Sequence, residues 1–436
     1  MKITVNSTKN PSFNSPGRRG PWLYCVLCCA ALGVDVAQRA QQSNAVPEPM
    51  AVSAALPAVA SPGQTQSDAA PTLPAQLPVF KQLSSGKIPM PANTPAAHAS
   101  SLLAMPQTSA AQMLAFWFAG DRESAPNVQI AYAWFDRSTQ AWVPARFVVN
   151  RHALGQQLGF GVRRLGNPVA WLDGDGRVHL FVVATGLGGW AAGRIVHLQQ
   201  DVQAVAHTSE ALAQLSFSPV RMLPLSWLWN TSHLVRSAPL PLVDGGMVLP
   251  VYFELGIKYP VALHFGPQGQ WRGMARMSAR GDTLQPTIVP VTPTQWLAFM
   301  RDHGQTHKVA VVATDDAGQR WRDVAPLEMT NTGSSVAALR LPTGHYVMAH
   351  NKSAGTRRDM DLSVSSDAVQ WATAAVVENG AQRSDEYSYP ALAWDGQALW
   401  LSYTDMRREI AWRRYSVQSP SSSNRPNSLN SPSKAP

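Results

Sequence analysis

Three tryptophans, Trp271, Trp321 and Trp371, recur 50 residues apart, and the middle one closes the run Thr314-Asp315-Asp316-Ala317-Gly318-Gln319-Arg320-Trp321. That run fits the pattern S/T-x-D-x-G-x-x-W, the Asp box, a β-hairpin turn shaped by the carboxylate and the glycine, with the indole packed beneath it. Ser365 to Trp371 is the same box one residue short, with Val369 where glycine belongs. Asp136 to Trp142 is a version one residue too long, and Gly266 to Trp271 keeps only the glycines and the indole. A turn signal repeated at roughly 40–50 residues marks units that bury their apolar faces only against one another, which is the pattern of a β-propeller.

The stretches between the turns agree. Met113 to Phe118, Val128 to Trp134, Val178 to Val183, Trp296 to Met300, Val309 to Ala313 and Ala398 to Tyr403 are short runs in which large apolar residues alternate with small or polar ones. That is strand periodicity. Only Ser209 to Gln214 reads as a helical turn.

The ends of the chain set the domain limits. Lys2, Lys9, Arg18 and Arg19 precede an apolar stretch from Pro21 to Val34, so residues 1–43 read as a secretory signal peptide or a membrane anchor, and the protein as exported, periplasmic or extracellular. All three cysteines, Cys25, Cys28 and Cys29, lie in this segment, which leaves the rest of the chain without disulfides or thiolate metal sites. From Gln41 the composition turns to Ala, Pro, Ser and Gln, with ten prolines between Pro47 and Pro95. Such a segment buries too little apolar surface to offset its ordering entropy, so residues 44–76 read as a disordered tether. Residues 77–415 then form an all-β, six-bladed propeller at roughly 50 residues per blade, and 416–436 a disordered tail.

The formal net charge is +9, but the cations outside the leader are scattered singly, without the basic run and interleaved aromatics of a nucleic-acid site. Asp173-Gly174-Asp175-Gly176 resembles part of a calcium loop but lacks its closing ligands, so a tight hairpin turn explains it. No metal or cofactor is expected, and the ring reads as a monomer.

His98-Ala99-Ser100-Ser101-Leu102 followed by Leu114 to Glu123 resembles the first blade of the bacterial predicted neuraminidases, a branch of the sialidase superfamily. Asn167 to Val169, Leu249 to Glu254, Gln285 to Val289, Phe299 to Asp302, His350-Asn351, Glu386 to Pro390 and Tyr403 to Arg407 continue that resemblance in order around the ring. It implies a sialidase-like propeller that works as an exo-acting glycoside hydrolase, a neuraminidase, on a carboxylated glycan. In that family three arginines clamp the substrate carboxylate, a tyrosine assisted by a glutamate attacks the anomeric carbon, and an aspartate is the acid/base; tyrosine is an exception to the usual two-carboxylate scheme. By sequence context Arg301 falls at the second clamp position, Arg358 or its neighbour Arg357 at the third, and Tyr387 at the nucleophile, while Tyr389, before Pro390, reads as structural.

Three positions depart from the family. His98 stands for the first clamp arginine, Asn127 for the acid/base aspartate and Gln285 for the activating glutamate. A phenol with a pKa near 10 is a weak nucleophile without a base. Glu254 is therefore the candidate catalytic carboxylate beside Tyr387, with Glu123, Glu386 and Asp302 as other carboxylates in reach. Arg122, Arg301, Arg358, Arg407, His98 and Gln285 are the candidate substrate-binding residues. Two other readings stay open: a glycan-binding propeller without hydrolysis, and a uronic-acid lyase on the same ring. Convergence of Tyr387, Arg301 and Arg358 with a carboxylate would favour catalysis, and a Tyr387 packed into a blade would favour binding.

Overall fold

The computed structural model describes residues 77–418, apart from 202–206, 227–229, 305, 332 and 354. The expected leader, the tether to residue 76 and residues 419–436 of the expected tail lie outside the described residues, whereas Ser416 to Gln418, expected in that tail, pair with Lys81 to Val79 in the last strand.

Six antiparallel sheets follow one another around a ring. Blade I is built from Ala96–Ala104, Ala111–Gly120, Gln129–Asp136 and Ala141–Trp142, with Arg146–Val149 also on its third strand. Blade II has Arg164–Leu172, Val178–Thr185, Gly193–Gln200 and Phe217–Met222, and blade III has His233–Val235, Met247–Phe253, Tyr259–Phe265 and Trp271–Arg276. Blade IV contains Thr283–Pro290, Trp296–Asp302, Ala310–Thr314 and Arg322–Val324, and blade V contains Ala337–Arg340, Tyr346–His350, Asp359–Ser365 and Ala372–Asn379. Blade VI is made of Tyr387–Trp394, Leu399–Asp405 and Glu409–Gln418, and its outermost strand is Val79–Lys87 from the other end of the chain. The Pro-rich composition that runs to Pro95 thus hides the strand that closes the ring. Closure is reinforced at the centre, where Ser100 Oγ lies 2.9 Å from Ser402 Oγ and Ala99 N donates to Thr404 Oγ1 at 3.0 Å.

The period-2 alternation explains the packing. Successive side chains of one strand point to opposite faces, so each blade feeds two neighbours. Met113, Ala115 and Trp117 pack against blade VI with Trp400 and Trp412, while Leu114, Phe116 and Phe118 pack against blade II with Leu165, Leu180 and Val196. The remaining apolar layers lie between blades II and III, III and IV, IV and V, and V and VI. Each fully buried large side chain, such as Trp117 or Phe299, contributes about 2–3 kcal/mol.

The hairpins joining first to second and third to fourth strands share the lower end of the ring. Carboxylates organise several of their turns. Asp316 Oδ1 accepts from Gln319 N at 3.1 Å and Arg320 N at 2.9 Å, and Trp321 Nε1 donates to the Gly318 carbonyl at 2.9 Å. Asp367 repeats this with Val369 N and Gln370 N, both at 2.8 Å, and Trp371 Nε1 donates to the Ala368 carbonyl. Asp173 Oδ1 likewise accepts from Asp175 N and Arg177 N, and its other oxygen lies 2.9 Å from His179 Nε2, so this segment is a turn held to its own blade.

Among the described residues two short α-helices decorate the ring. Ser209–Ala213 coincides with the expected helical turn, whereas Arg151–Leu158 has no counterpart in the sequence reading. The second carries weak apolar periodicity with only Leu154 buried, but its end signals are present: Asn150 Oδ1 accepts from His152 N and Ala153 N, and Gly159 ends it at φ 70°.

Candidate axial site

The loops between second and third strands, and those between blades, gather at the upper end of the ring. The inner strands arrive there distorted. Register slips between His98 and Ser101, Gly166 and Val169, Leu284 and Thr287, and Ser388 and Ala391. At each slip one residue takes a positive φ: Ala99 (54°), Asn167 (43°), Gln285 (54°) and Tyr389 (53°). These are β-bulges that re-aim a side chain, and a left-handed conformation in a non-glycine residue costs about 1–2 kcal/mol. In three of the four a proline follows, Pro168, Pro286 and Pro390, which has no N–H to give to the ladder there.

Tyr389 is the centre of the resulting cluster. Its ring meets His98 edge-on with centroids 4.5 Å apart, and the guanidinium groups of Arg236 and Arg357 lie over it at 5.2 and 5.8 Å. On its other side His98 meets Phe118 at 5.4 Å. Neither His98 nitrogen has a hydrogen-bond partner, and burial, followed by the Arg407 charge, pulls the imidazole down to about 3. His98 is therefore a neutral, desolvated ring. Arg236 crosses the axis from blade III, donating from Nη1 to the Ser100 carbonyl of blade I at 3.1 Å and from Nη2 to the Pro390 carbonyl of blade VI at 2.9 Å. Burial lowers its guanidinium to about 10.

Beside this cluster lies an ion network. Glu386 accepts from Arg407 Nε at 2.7 Å through one oxygen, and from Arg357 Nη1 at 3.2 Å and Ser388 Oγ at 2.9 Å through the other. Arg407 also binds Glu123, and Arg357 Nε donates to Ser334 Oγ at 3.2 Å. Burial acts to raise the Glu386 carboxyl, but the hydrogen bond and charge of Arg407, with Ser388 and Arg357, hold it down at about 2.

Blades III and IV supply a third group. Gln285 Nε2 donates to the Tyr252 hydroxyl at 3.3 Å, leaving its own Oε1 buried without a partner. Burial pushes the Tyr252 phenol far up, with the charge of Glu254 adding to it. Glu254 is raised by burial against the opposing pull of Arg301 and Lys258, and Arg301 Nε is buried and unpartnered.

His98, Gln285, Glu254, Arg301 and Arg407 thus occupy the upper end of the axis. Others do not. Tyr387 lies in the apolar layer between blades V and VI with its ring 6.3 Å from Tyr403, and its backbone bonds to Arg357 and Asn351. The tyrosine at the axis is Tyr389. Arg358 is exposed and Arg357 takes the inward place; Arg122 is exposed on the blade I loop, which Asn127 closes by accepting from Asp121 N at 3.2 Å. Asp302 is held by Arg280, Gly304 and Thr306, a turn assignment and not an axial one. Sequence reasoning missed Arg236, a lone cation ending an apolar strand, and Tyr252, hidden in the apolar run of blade III. A separate cleft on the same face, lined by Phe160, Arg163, Leu187, Ala192 and Arg194, sits over blade II away from this cluster.

A six-bladed all-β ring with its polar cluster at one end of the axis defines a sialidase-type propeller. The chain belongs to the family described as "BNR repeat-like domain", whose model matches residues 111–401. Solved structures share the fold at low identity. A Hadza microbial sialidase, Hz136, is 16% identical with a TM-score of 0.59, covering 73% of this chain and 65% of its own. This chain therefore spans about two thirds of that sialidase. A protein of unknown function from Dyadobacter fermentans is 12% identical with a TM-score of 0.57, covering 78% of this chain and 99% of its own. The NanB sialidase of Streptococcus pneumoniae is 11% identical with a TM-score of 0.53, covering 80% and 71% respectively. No curated protein matches the chain.

Proposed function

We propose that this propeller recognises the terminal sugar of a glycan in the axial pocket. One observation carries the reading: partly exposed polar side chains of several blades, Glu254, Arg301, Arg357, Tyr389 and Arg407, stand at this end of the axis around the buried His98 and Arg236. A sugar hydroxyl both donates and accepts, so a ring of hydroxyls answers this mixed set. The sialidase fold of the neighbours supports the same ligand class. The basic and apolar residues of the leader support export, and no helix among the described residues is long and apolar enough to cross a membrane.

Hydrolysis is the second reading, and Glu254 favours it. Burial biases its carboxyl toward the protonated form that a general acid needs, and Tyr389 would be the attacking group. Against it, no carboxylate among the described residues hydrogen-bonds the hydroxyl of Tyr389 or Tyr387, and Gln285 stands where a base would. The test is a glycan array followed by calorimetry on the wild-type protein and on Arg301→Ala, with aryl sialosides and uronides as hydrolysis substrates. Saturable binding that weakens at least about tenfold in Arg301→Ala, without aglycone release, is the expected result. Aglycone release would move the assignment to the hydrolase, and absence of glycan binding would remove the first reading.

A further inference from the structure

Glu386 occupies the place that a ligand carboxylate would take between two axial arginines. Arg407 presents Nε to one of its oxygens and Arg357 presents Nη1 to the other, Ser388 adds a hydroxyl, and Glu123 covers a second edge of Arg407. The carboxylate is in sequence contact with the pocket, two residues before Ser388 and three before Tyr389, so its effective concentration at the guanidinium pair is that of an intramolecular group. A free carboxylate arriving in solution has to expel it. Expulsion would break three hydrogen bonds and leave Glu386, whose side chain is only 22% exposed, without a partner. A second anion alongside Glu386 would meet like charge at close range. His98 adds to the asymmetry, since a neutral imidazole stands where a clamp would need a third cation.

We propose that Glu386 is the specificity-determining residue of the axial pocket, a built-in counter-anion that fills the Arg357–Arg407 pair and makes the pocket select a neutral sugar over its carboxylated counterpart. The inference rests on the glycan-binding reading and narrows its ligand class. The exclusion is electrostatic, so it falls with removal of one charge. Glu123 supports the same arrangement from Arg407 alone and is the weaker determinant.

The test uses matched oligosaccharides that end in a hexose or in the corresponding hexuronic acid, measured by isothermal calorimetry on the full chain. The wild-type protein should bind the neutral member at least about tenfold more tightly. Glu386→Gln should shift the ratio of the two affinities toward the acidic member at least about tenfold; Glu123→Gln should give a smaller shift of the same sign. A wild-type preference for the acidic member overturns the inference, and that measurement needs no variant to fold. Unchanged preference in a Glu386→Gln protein with a cooperative melt overturns it as well. If neither sugar binds the wild-type protein, the glycan reading itself is lost and this inference with it.

Discussion

Tyr389 of the last blade and His98 of the first meet edge-on at the axis, their ring centroids 4.5 Å apart and their planes inclined at 67°. The contact forms only once the ring has closed, so the pocket wall is a product of closure. Replacing Tyr389 by alanine should therefore weaken glycan affinity by at least about tenfold, or about 1.4 kcal/mol. Tyr387→Phe, altered in the layer between blades V and VI, should leave affinity unchanged within about twofold. Equal losses in a calorimetric titration of the two variants would refute the assignment of Tyr389 to the pocket.

Arg236 ties blades I, III and VI through two backbone carbonyls. Arg236→Met keeps much of the volume and removes both donors. The buried Ser100 and Pro390 carbonyls are then left unpaired, and stability should fall by about 2–4 kcal/mol. Urea unfolding gives the value, and an unshifted midpoint would show that water or a rearranged side chain replaces the guanidinium without cost.

The buried histidines set an acid limit on the fold. In the unfolded chain His98 takes up a proton near 6.5, whereas in the folded ring it does so only at about 3. Between those values the unfolded state binds more protons, so the stability is complete above 6.5 and is lost as the pH falls toward 3. His179, His197, His264 and His350 are lowered by burial in the same direction. His98→Phe should flatten the decline of the melting temperature between about pH 6.5 and about pH 4; a slope identical to wild type would mean that His98 protonates as readily in the folded protein as in the unfolded one.

Asp316→Ala removes an acceptor shared by Thr314 Oγ1, Gln319 N and Arg320 N. Blade IV should lose about 1–2 kcal/mol. Gly318→Ala should cost more, because φ is +83° there and an added Cβ would lie 2.6 Å from Trp296. Differential scanning calorimetry ranks the two, and a milder effect at Gly318 would contradict the turn geometry.

The repeat was legible because its signals are local. Asp136, Asp173, Asp316, Asp367 and Asp395 each bind a lower-end turn within about four residues, Trp271, Trp321 and Trp371 stand at or just before the start of the outer strand of a blade, and Trp142 lies in the short outer strand Ala141–Trp142 of blade I. The pocket was legible only in part. Strict alternation would put Tyr387 and Tyr389 on one face, but the bulge between Ser388 and Ala391 sends the second to the axis and leaves the first against Tyr403. The recurring X-Pro pairs Asn167-Pro168, Gln285-Pro286 and Tyr389-Pro390 were the available trace of that bulge. Arg236 left no trace, because its partners are carbonyls more than 100 residues away.

The pairing of Val79 with Gln418 imposes an order of events on synthesis. Of the described strands Val79–Lys87 is made first and its partner last, so at about 5–20 residues per second the earlier of the two waits on the order of tens of seconds with an unsatisfied edge. Blades I to V can form while it waits, since each of them is contiguous in the chain. Release of the last strand then completes the sixth blade and brings Tyr389 to His98 in the same event, so a truncated nascent chain would display five blades and no finished pocket.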